Sequence, residues 1–171
     1  ANAQVVLNSL YKHTNLQVSD GIILLALVEN GTEPKILDLR EILVNYLAHQ
    51  KEVITRRTRF ELSKAEERAH ILEGLVLALA NIDEVIRIIK ESSDKNDAAN
   101  KLTTAFELTD KQANAILEMR LQRLTSLEVE KLKEELDALH ATIADLKDIL
   151  ANEQRVLDII KADLLAIKDK Y

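Results

Sequence analysis

The chain has 171 residues, a formal net charge of −6, three glycines, one proline and no cysteine. Because turns consume Gly and Pro, their scarcity excludes a mainly β fold and predicts a mostly helical chain. The lack of Cys excludes disulfides and favours a reducing, cytoplasmic compartment, and the acidic balance provides no global attraction for nucleic acid. No apolar run reaches the ~18 residues of a membrane span, so we expect no membrane partner.

The β signals are confined to a segment near the N-terminus. Residues 2–13 have weak helical periodicity and predict an amphipathic helix. The apolar run Ile22–Val28 precedes Asn30-Gly31, a pair typical of hairpin turns. We therefore expect a short buried strand in that run, a turn at Glu29–Pro34 and a second strand at Lys35–Leu37.

A long helix is predicted from Asp38 to about Ser92. Asp38 and Glu41 have the spacing of a capping box, which satisfies N–H groups at a helix start. Gly74 is the single glycine of the segment, and no proline interrupts it. A continuous helix of this length would measure about 80 Å. Such a helix requires support from a second helix.

Apolar residues within this helix recur in steps of three and four, which is the spacing of a left-handed coiled coil. The same spacing returns later in the chain, with Asn152 as a break and new helix cap. Two such segments predict an antiparallel hairpin. The outgoing seam comprises Leu62, Ala65, Ala69, Leu72, Val76, Leu79, Ile82, Ile86 and Ile89. The returning seam comprises Val129, Leu132, Leu136, Leu139, Ile143, Leu146 and Leu150, continued by Leu157, Ile160, Leu164 and Ile167.

The segment between the two long helices must lie at the tip of the hairpin. It is predicted to form two shorter helices, at Asp94–Ala105 and Asp110–Leu124. Two capping boxes support these boundaries: Thr109 with Gln112, and Thr125 with Glu128.

The predicted fold is therefore mainly α: a long antiparallel coiled-coil hairpin with a small helical globular knob at its tip and a short β hairpin near the N-terminus. The corresponding division of the chain is a helix and β hairpin at 1–37, the outgoing helix at 38–92, the knob at 93–125 and the returning helices at 126–171.

No catalytic or metal-binding pattern is present in the sequence. The four histidines are scattered without ligand spacing, and no glycine-rich phosphate loop occurs. We therefore expect no catalytic residue, metal or cofactor site in this chain.

Arg56, Arg57 and Arg59 form a basic cluster on the long helix. One interpretation is contact with DNA phosphates. The other is a solvated helix face on which Glu52 and Glu61 pair with the arginines four residues away. The nearby carboxylates favour the second interpretation.

Arginines share an apolar arc in the second predicted knob helix. Arg120 projects from the middle of this arc. Burying an unpaired guanidinium is prohibitive, so either Arg120 has a carboxylate or carbonyl partner or its arc is only partly covered. One account is a salt bridge within its own chain, and the other is an interface with a second copy, where Arg and Met are enriched. Both alternatives are open. The residues expected at a dimer interface are Ile116, Met119, Arg120, Leu121, Arg123 and Leu124.

Several stretches resemble one known family. They are VVLNSLYKHTNLQ (5–17), HQKEVITRRTRFELSKAEERAHILEG (49–74), RAHILEGLVLALANIDEVIRIIKES (68–92) and LTDKQANAILEMRLQRLTSLEVEKL (108–132). Together they resemble the A subunit of bacterial DNA gyrase, a type IIA topoisomerase, across essentially the whole chain. The A subunit of topoisomerase IV is the nearest alternative. The stretch ENGTEP (29–34) is longer than the usual turn of the family.

The resemblance implies the end of the tower, the coiled-coil arm and the knob of such a subunit, with two knobs meeting across a two-fold axis as the exit gate for DNA. It implies a homodimer through the knob. In the complete ATP-dependent supercoiling enzyme, the implied partners are duplex DNA and the ATPase B subunit, with ATP and Mg bound by other domains. The family nucleophile is a tyrosine in an Arg-Tyr-Thr context, which Tyr11, Tyr46 and Tyr171 do not match. We therefore expect a non-catalytic piece of a larger polypeptide; a generic coiled-coil scaffold and a nucleic-acid-binding module are the other hypotheses.

Overall fold

A computed structural model describes residues 2–28, 31–120 and 125–171. The elements in these ranges are α1 (Ala3–His13), β1 (Leu25–Val28), β2 (Glu33–Ile36), α2 (Leu39–Ala80), α3 (Ile82–Lys90), α4 (Lys95–Phe106), α5 (Asp110–Leu117), α6 (Ser126–Ala151) and α7 (Glu153–Lys170). The chain divides into two compact units, Ala1–His49 and Gln50–Tyr171, with the boundary inside α2. The predicted mainly α fold with a long coiled-coil helix and a β hairpin is confirmed.

The first unit contains α1 and an antiparallel β hairpin. The side chain of Asn2 caps α1 by accepting a hydrogen bond from the Gln4 N–H. In the hairpin, Leu25 lies opposite Ile36. Gly31, between the strands, has a φ of 85°, a left-handed conformation that glycine adopts without steric cost.

The predicted strands are corrected at two points. β1 begins at Leu25, and the preceding Ile22 and Ile23 are 81% and 76% exposed, so the apolar run is not a buried strand here. A two-stranded ribbon offers no second layer to cover such side chains. β2 begins at Glu33 and includes Pro34, whereas the sequence predicts Pro34 in the turn. Proline is tolerated there because both strands of a ribbon are edge strands.

The outgoing helix begins as predicted but is interrupted at Asn81. The capping box forms: the Asp38 N–H donates to Glu41 Oε2 at 3.1 Å, and the Glu41 N–H donates to Asp38 Oδ1 at 2.7 Å. At Asn81 the backbone leaves helical geometry, with φ −123° and ψ 39°. Its Nδ2 donates to the Leu77 carbonyl oxygen at 3.0 Å, the acceptor that the Asn81 N–H would use in a continuous helix. Side-chain competition with the backbone thus accounts for the break between α2 and α3.

This break shifts the buried face of α3 by one residue. The expected seam residues Ile86 and Ile89 are 37% and 39% exposed, whereas Val85 and Ile88 are 1% and 8% exposed. The seam prediction is therefore correct at the half-buried Ile82 but wrong at Ile86 and Ile89, because it assumed an unbroken helical rotation. On α2 it is correct, since its seam residues from 62 to 79 are buried or half-buried.

The returning helices α6 and α7 pair with α2 in the antiparallel sense. Three side-chain contacts show this, because the residue numbers rise along α2 while those of its partners fall. Lys51 Nζ lies 2.6 Å from Glu153 Oε1, Glu66 Oε1 lies 2.8 Å from Lys147 Nζ, and Glu73 Oε1 lies 3.1 Å from His140 Nε2. The hairpin of long helices predicted from the periodicity is therefore present within this unit.

The break between α6 and α7 lies at Asn152, as predicted from the sequence. The Asn152 side chain caps α7 by accepting the Gln154 N–H at 3.0 Å. The predicted seam is correct along α6, where its residues are buried or half-buried. Near the end of α7, however, Leu164 and Ile167 are 41% and 54% exposed, so its predicted continuation is wrong there.

Two apolar clusters form the core of the second unit. The larger joins α2, α3, α4, α5 and α6 through Leu72, Leu75, Ala78, Val85, Ile88, Leu102, Ala113, Ile116 and Leu132. The smaller joins α2 to both returning helices through Ile54, Ile149, Val156 and Ile160.

Candidate dimer interface and basic surface

The knob (residues 93–125) contains α4 and α5, and a side chain caps the start of each helix. Asp94 Oδ1 accepts the Asp97 N–H at 2.8 Å. At α5 the Thr109 N–H donates to Gln112 Oε1 at 3.0 Å, and Gln112 N–H donates to Thr109 Oγ1 at 3.4 Å. Glu107, between the helices, has a left-handed φ of 52°. The first predicted knob helix and the capping box of the second are confirmed.

α5 is shorter than predicted and ends at Leu117 instead of Leu124. The Met119 N–H donates to the Ile116 carbonyl oxygen at 3.1 Å, a tightened bond that closes the last turn. Arg120 follows outside the helix, so its predicted place on a helical arc is wrong, and Leu121 and Leu124 of that arc lie outside the described residues.

The start of α6 is also only partly as predicted. Thr125 occupies the N-cap position with φ −71° and ψ 144°, but its side chain makes no capping hydrogen bond to the helix. The helix α6 therefore begins at the predicted position, but the predicted capping box does not form.

α5 packs on α2 through a closely fitted polar contact. Gln112, 7% exposed, donates from Nε2 to the His70 carbonyl oxygen at 2.7 Å. His70 Nε2 lies 2.8 Å from Thr109 Oγ1, which lies 3.3 Å from Gln112 Oε1. A β-carbon at Gly74 would lie 2.7 Å from Gln112 Cγ. Sequence reasoning did not identify this contact; the available signal was a lone glycine inside a long helix, a residue that permits close approach.

Exposed ion pairs surround this contact. Lys111 Nζ lies 2.7 Å from Glu67 Oε1, and this hydrogen bond holds the pKa of the Glu67 carboxyl below its ordinary value. On the other side of α5, Lys95 Nζ lies 3.0 Å from Glu118 Oε1. Exposed pairs of this kind contribute little to stability, so the buried contact with Gln112 positions α5.

The predicted interface residues lie in different environments. Ile116 is 3% exposed and belongs to the larger apolar cluster, so its own chain already covers it. Met119 is half-buried against the same cluster, and Arg120 is exposed. The other three, Leu121, Arg123 and Leu124, lie outside the described residues. The interface therefore stays a prediction, with Met119 and Arg120 as its accessible described members.

Arg120 borders an open cleft of about 570 Å³ that is also lined by Ile71 and Leu75 of α2. The other charged side chains of the cleft are paired: Arg68 with Glu135, Glu118 with Lys95, and Glu128 with Lys131. Among the residues the structure describes, no carboxylate lies within 4.0 Å of the Arg120 guanidinium. Of the two alternatives for Arg120, an ion pair within its own chain is thus not formed among these residues.

The basic cluster lies on an exposed part of α2. Arg56 Nη1 is 3.6 Å from Glu52 Oε1, and Arg57 Nε is 3.9 Å from Glu61 Oε1, which are the pairs expected from the sequence. These arginine side chains are 74% and 56% exposed, and exposed pairs four residues apart contribute about 0.3–0.5 kcal/mol each. Arg59 is also exposed.

Neither a metal site nor a membrane span occurs in the described ranges. They contain no group of three or more His, Cys, Asp or Glu side chains arranged to hold a metal ion. Nor do they contain a helix of the length and apolar character that crossing a membrane requires.

The paired long helices, with shorter helices packed on them, define a coiled-coil class of protein. Within this class, the sequence model of the family of DNA gyrase/topoisomerase IV A subunits matches residues 1–165. The chain belongs to this family. The resemblance found in its motifs is thereby confirmed.

Individual relatives agree with the family match. The chain is 58% identical over its full length to the DNA gyrase A subunit of Halalkalibacterium halodurans, and 54% identical to that of Leptospira biflexa. It is also 54% identical over its full length to the DNA gyrase A subunit of Streptococcus pneumoniae. It covers 20%, 20% and 21% of these proteins, so the chain spans about a fifth of the length of the curated relatives it matches.

Proposed function

We propose that this chain is the coiled-coil arm and exit-gate region of a DNA gyrase A subunit, and that it joins two copies through the knob without contributing a catalytic residue. The antiparallel pairing of α2 with α6 and α7, seen in the contact of Lys51 with Glu153 and of Glu73 with His140, carries this proposal. A stiff pair of helices suits a part that holds a gate at a distance from the chemistry.

The work of such a gate determines what kind of dimer interface it needs. It must hold two copies together while DNA is cut, yet open reversibly for each transported duplex. This favours a two-fold, self-complementary contact of modest area. Arg120, exposed beside the half-buried Met119, supplies a charged group whose partner we place on the second copy.

In the assembled enzyme we propose ATP-dependent supercoiling of DNA. Its partners would be duplex DNA and the ATPase B subunit, with ATP and Mg bound by other domains. The same region of the A subunit of topoisomerase IV is the alternative, because the matching family covers both enzymes. The similarity to the gyrase chains of three bacteria supports gyrase.

Light scattering over a concentration series tests the gate. We expect a monomer–dimer equilibrium, and we expect Arg120→Glu to weaken dimerisation by about tenfold or more, equivalent to about 1.4 kcal/mol. Arg59→Glu is the matched control, since it reverses the same charge at an exposed position of α2. A chain that stays monomeric at about 200 µM, a concentration at which a weak dimer still forms, argues against the proposal. So does equal weakening by both variants.

A further inference from the structure

We propose that the exposed face of α2 around Phe60 binds the phosphate backbone of duplex DNA through Arg56, Arg59 and Lys64. This site is separate from the knob and does not depend on the gate. It also accounts for a feature that a merely solvated face leaves unexplained, the exposure of Phe60.

The cations lie on the side of α2 that its own chain leaves open. Ile54 and Thr58 of the same helix segment are 2% and 3% exposed and face the returning helices, whereas Arg56, Arg59 and Lys64 are exposed. Arg56 and Lys64 are eight positions apart, a rise of about 12 Å along the helix. This distance corresponds to between three and four base-pair steps of about 3.4 Å, so the cations can contact successive phosphates of one backbone.

The charge of this segment is opposite to that of the chain. Four cations and one carboxylate occur from residue 56 to residue 64, in a chain whose net charge is −6. Within the described ranges, no carboxylate lies within 4.0 Å of the Arg59 guanidinium. The ion pair of Arg56 with Glu52 is long, at 3.6 Å, and largely exposed. A phosphate can therefore replace that carboxylate at small cost.

Phe60 lies among these cations. Its side chain is 65% exposed, and Lys64 Nζ lies 5.7 Å from the ring centroid. The ring and the ammonium attract each other in this geometry, which holds the Lys64 charge on the open face. Phe60 is then available to pack against a deoxyribose between the phosphates.

The composition of the face favours DNA over an acidic polypeptide. A protein partner of useful affinity needs a substantial apolar centre, and here Phe60 has only the 40% exposed Val53 nearby on the same face. The charged groups are mainly arginines, whose planar fork matches phosphate oxygens in pairs.

Fluorescence anisotropy of a labelled mixed-sequence duplex of about 20 base pairs tests the site with the whole chain. We expect saturable binding at about 50 mM salt, with a slope of log K against log salt near −2.7 for three phosphate contacts. The variant R56Q/R59Q/K64Q should bind at least about tenfold more weakly, with a slope closer to zero. The matched control K90Q/K133Q/K161Q removes the same charge from exposed positions on α3, α6 and α7 and should change binding less than about twofold.

Three outcomes overturn the proposal. The first is no saturable binding by the parent chain, and the second is an equal loss in the patch and control variants. The third is displacement of the duplex by polyglutamate of equal charge as effectively as by unlabelled duplex, which would make an acidic polypeptide the ligand. The circular dichroism spectrum of each variant should match that of the parent chain. A loss of DNA binding then results from the changed surface and not from unfolding.

Discussion

Gly74 of α2 and Gln112 of α5 are in direct contact: a β-carbon at position 74 would lie 2.7 Å from Gln112 Cγ and 2.8 Å from its Cβ. Because Cβ is fixed by the backbone, α5 cannot approach α2 in this way over any residue other than glycine. The Gln112 side chain then donates to the His70 carbonyl at 2.7 Å. Steric fit and a buried hydrogen bond together determine where α5 rests.

Gly74→Ala should destabilise the chain, opposite to the usual effect in a helix. Alanine normally stabilises a helix interior by about 0.5–1 kcal/mol relative to glycine. Here the added carbon overlaps Gln112, and overpacking costs about 1–3 kcal/mol. We expect a lower urea midpoint by circular dichroism. Gly21→Ala is the control, because nothing lies within 4 Å of its added carbon; a more stable G74A variant would contradict the contact.

Removing the cap of α5 should loosen the knob. Thr109 Oγ1 contacts both the Gln112 N–H and His70 Nε2, so Thr109→Ala should lower the free energy of unfolding by about 1–2 kcal/mol. Thr142→Ala on α6 provides a comparison, since that exposed hydroxyl bonds only within its own helix, to the Ala138 carbonyl. If the two variants unfold at the same denaturant concentration, the cap is unimportant.

The shift of the buried face at Asn81 predicts an unequal effect of neighbouring substitutions. Val85 is 1% exposed, so Val85→Ala should cost about 2 kcal/mol from lost burial and the cavity left behind. Ile86→Ala, at a position 37% exposed, should cost less than about 1 kcal/mol although it removes a larger side chain. Chemical denaturation of both variants measures the difference. The reverse order would indicate an unbroken helix through Asn81.

Acid should weaken two ion pairs on α2. Hydrogen bonds from Lys111 and Lys51 hold the pKa values of Glu67 and Glu153 below the ordinary 4.5. Since the folded-state pKa lies below the unfolded one, this stabilisation is complete above the unfolded pKa and is lost as the pH falls through the folded pKa.

The variant K51M/K111M lacks both pairs. Its urea midpoint should therefore fall less than that of the parent between about pH 6 and about pH 3. The control K133M/K161M changes the same net charge at other exposed positions and should follow the parent. An unchanged acid response in K51M/K111M would show that these pairs do not stabilise the fold.

Much of the fold was predictable because it depends on residues close together in the chain. The capping box of Asp38 with Glu41 and the helix break at Asn152 each involve groups within a few positions of one another. The seam on α6 follows from helical periodicity alone. For the same reason the family could be recognised from contiguous motifs, and the family model confirms it.

The candidate site was predictable only in part. The positions of Arg56 and Arg57 beside glutamates four residues away were expected, since both partners lie on one helix. The burial of Ile116 was not expected, and the sequence left the surroundings of Arg120 open, because both follow from where α5 ends and which side of it meets α2.

The sequence by itself thus determined the elements of this protein: which segments are helical, where most of them begin, and that two long ones pair. The tertiary structure decided the length of α5 and the contact of Gly74 with Gln112. The physical reason is that capping and periodicity act through neighbouring residues. Packing depends on a fit between side chains distant in sequence, which no local pattern encodes.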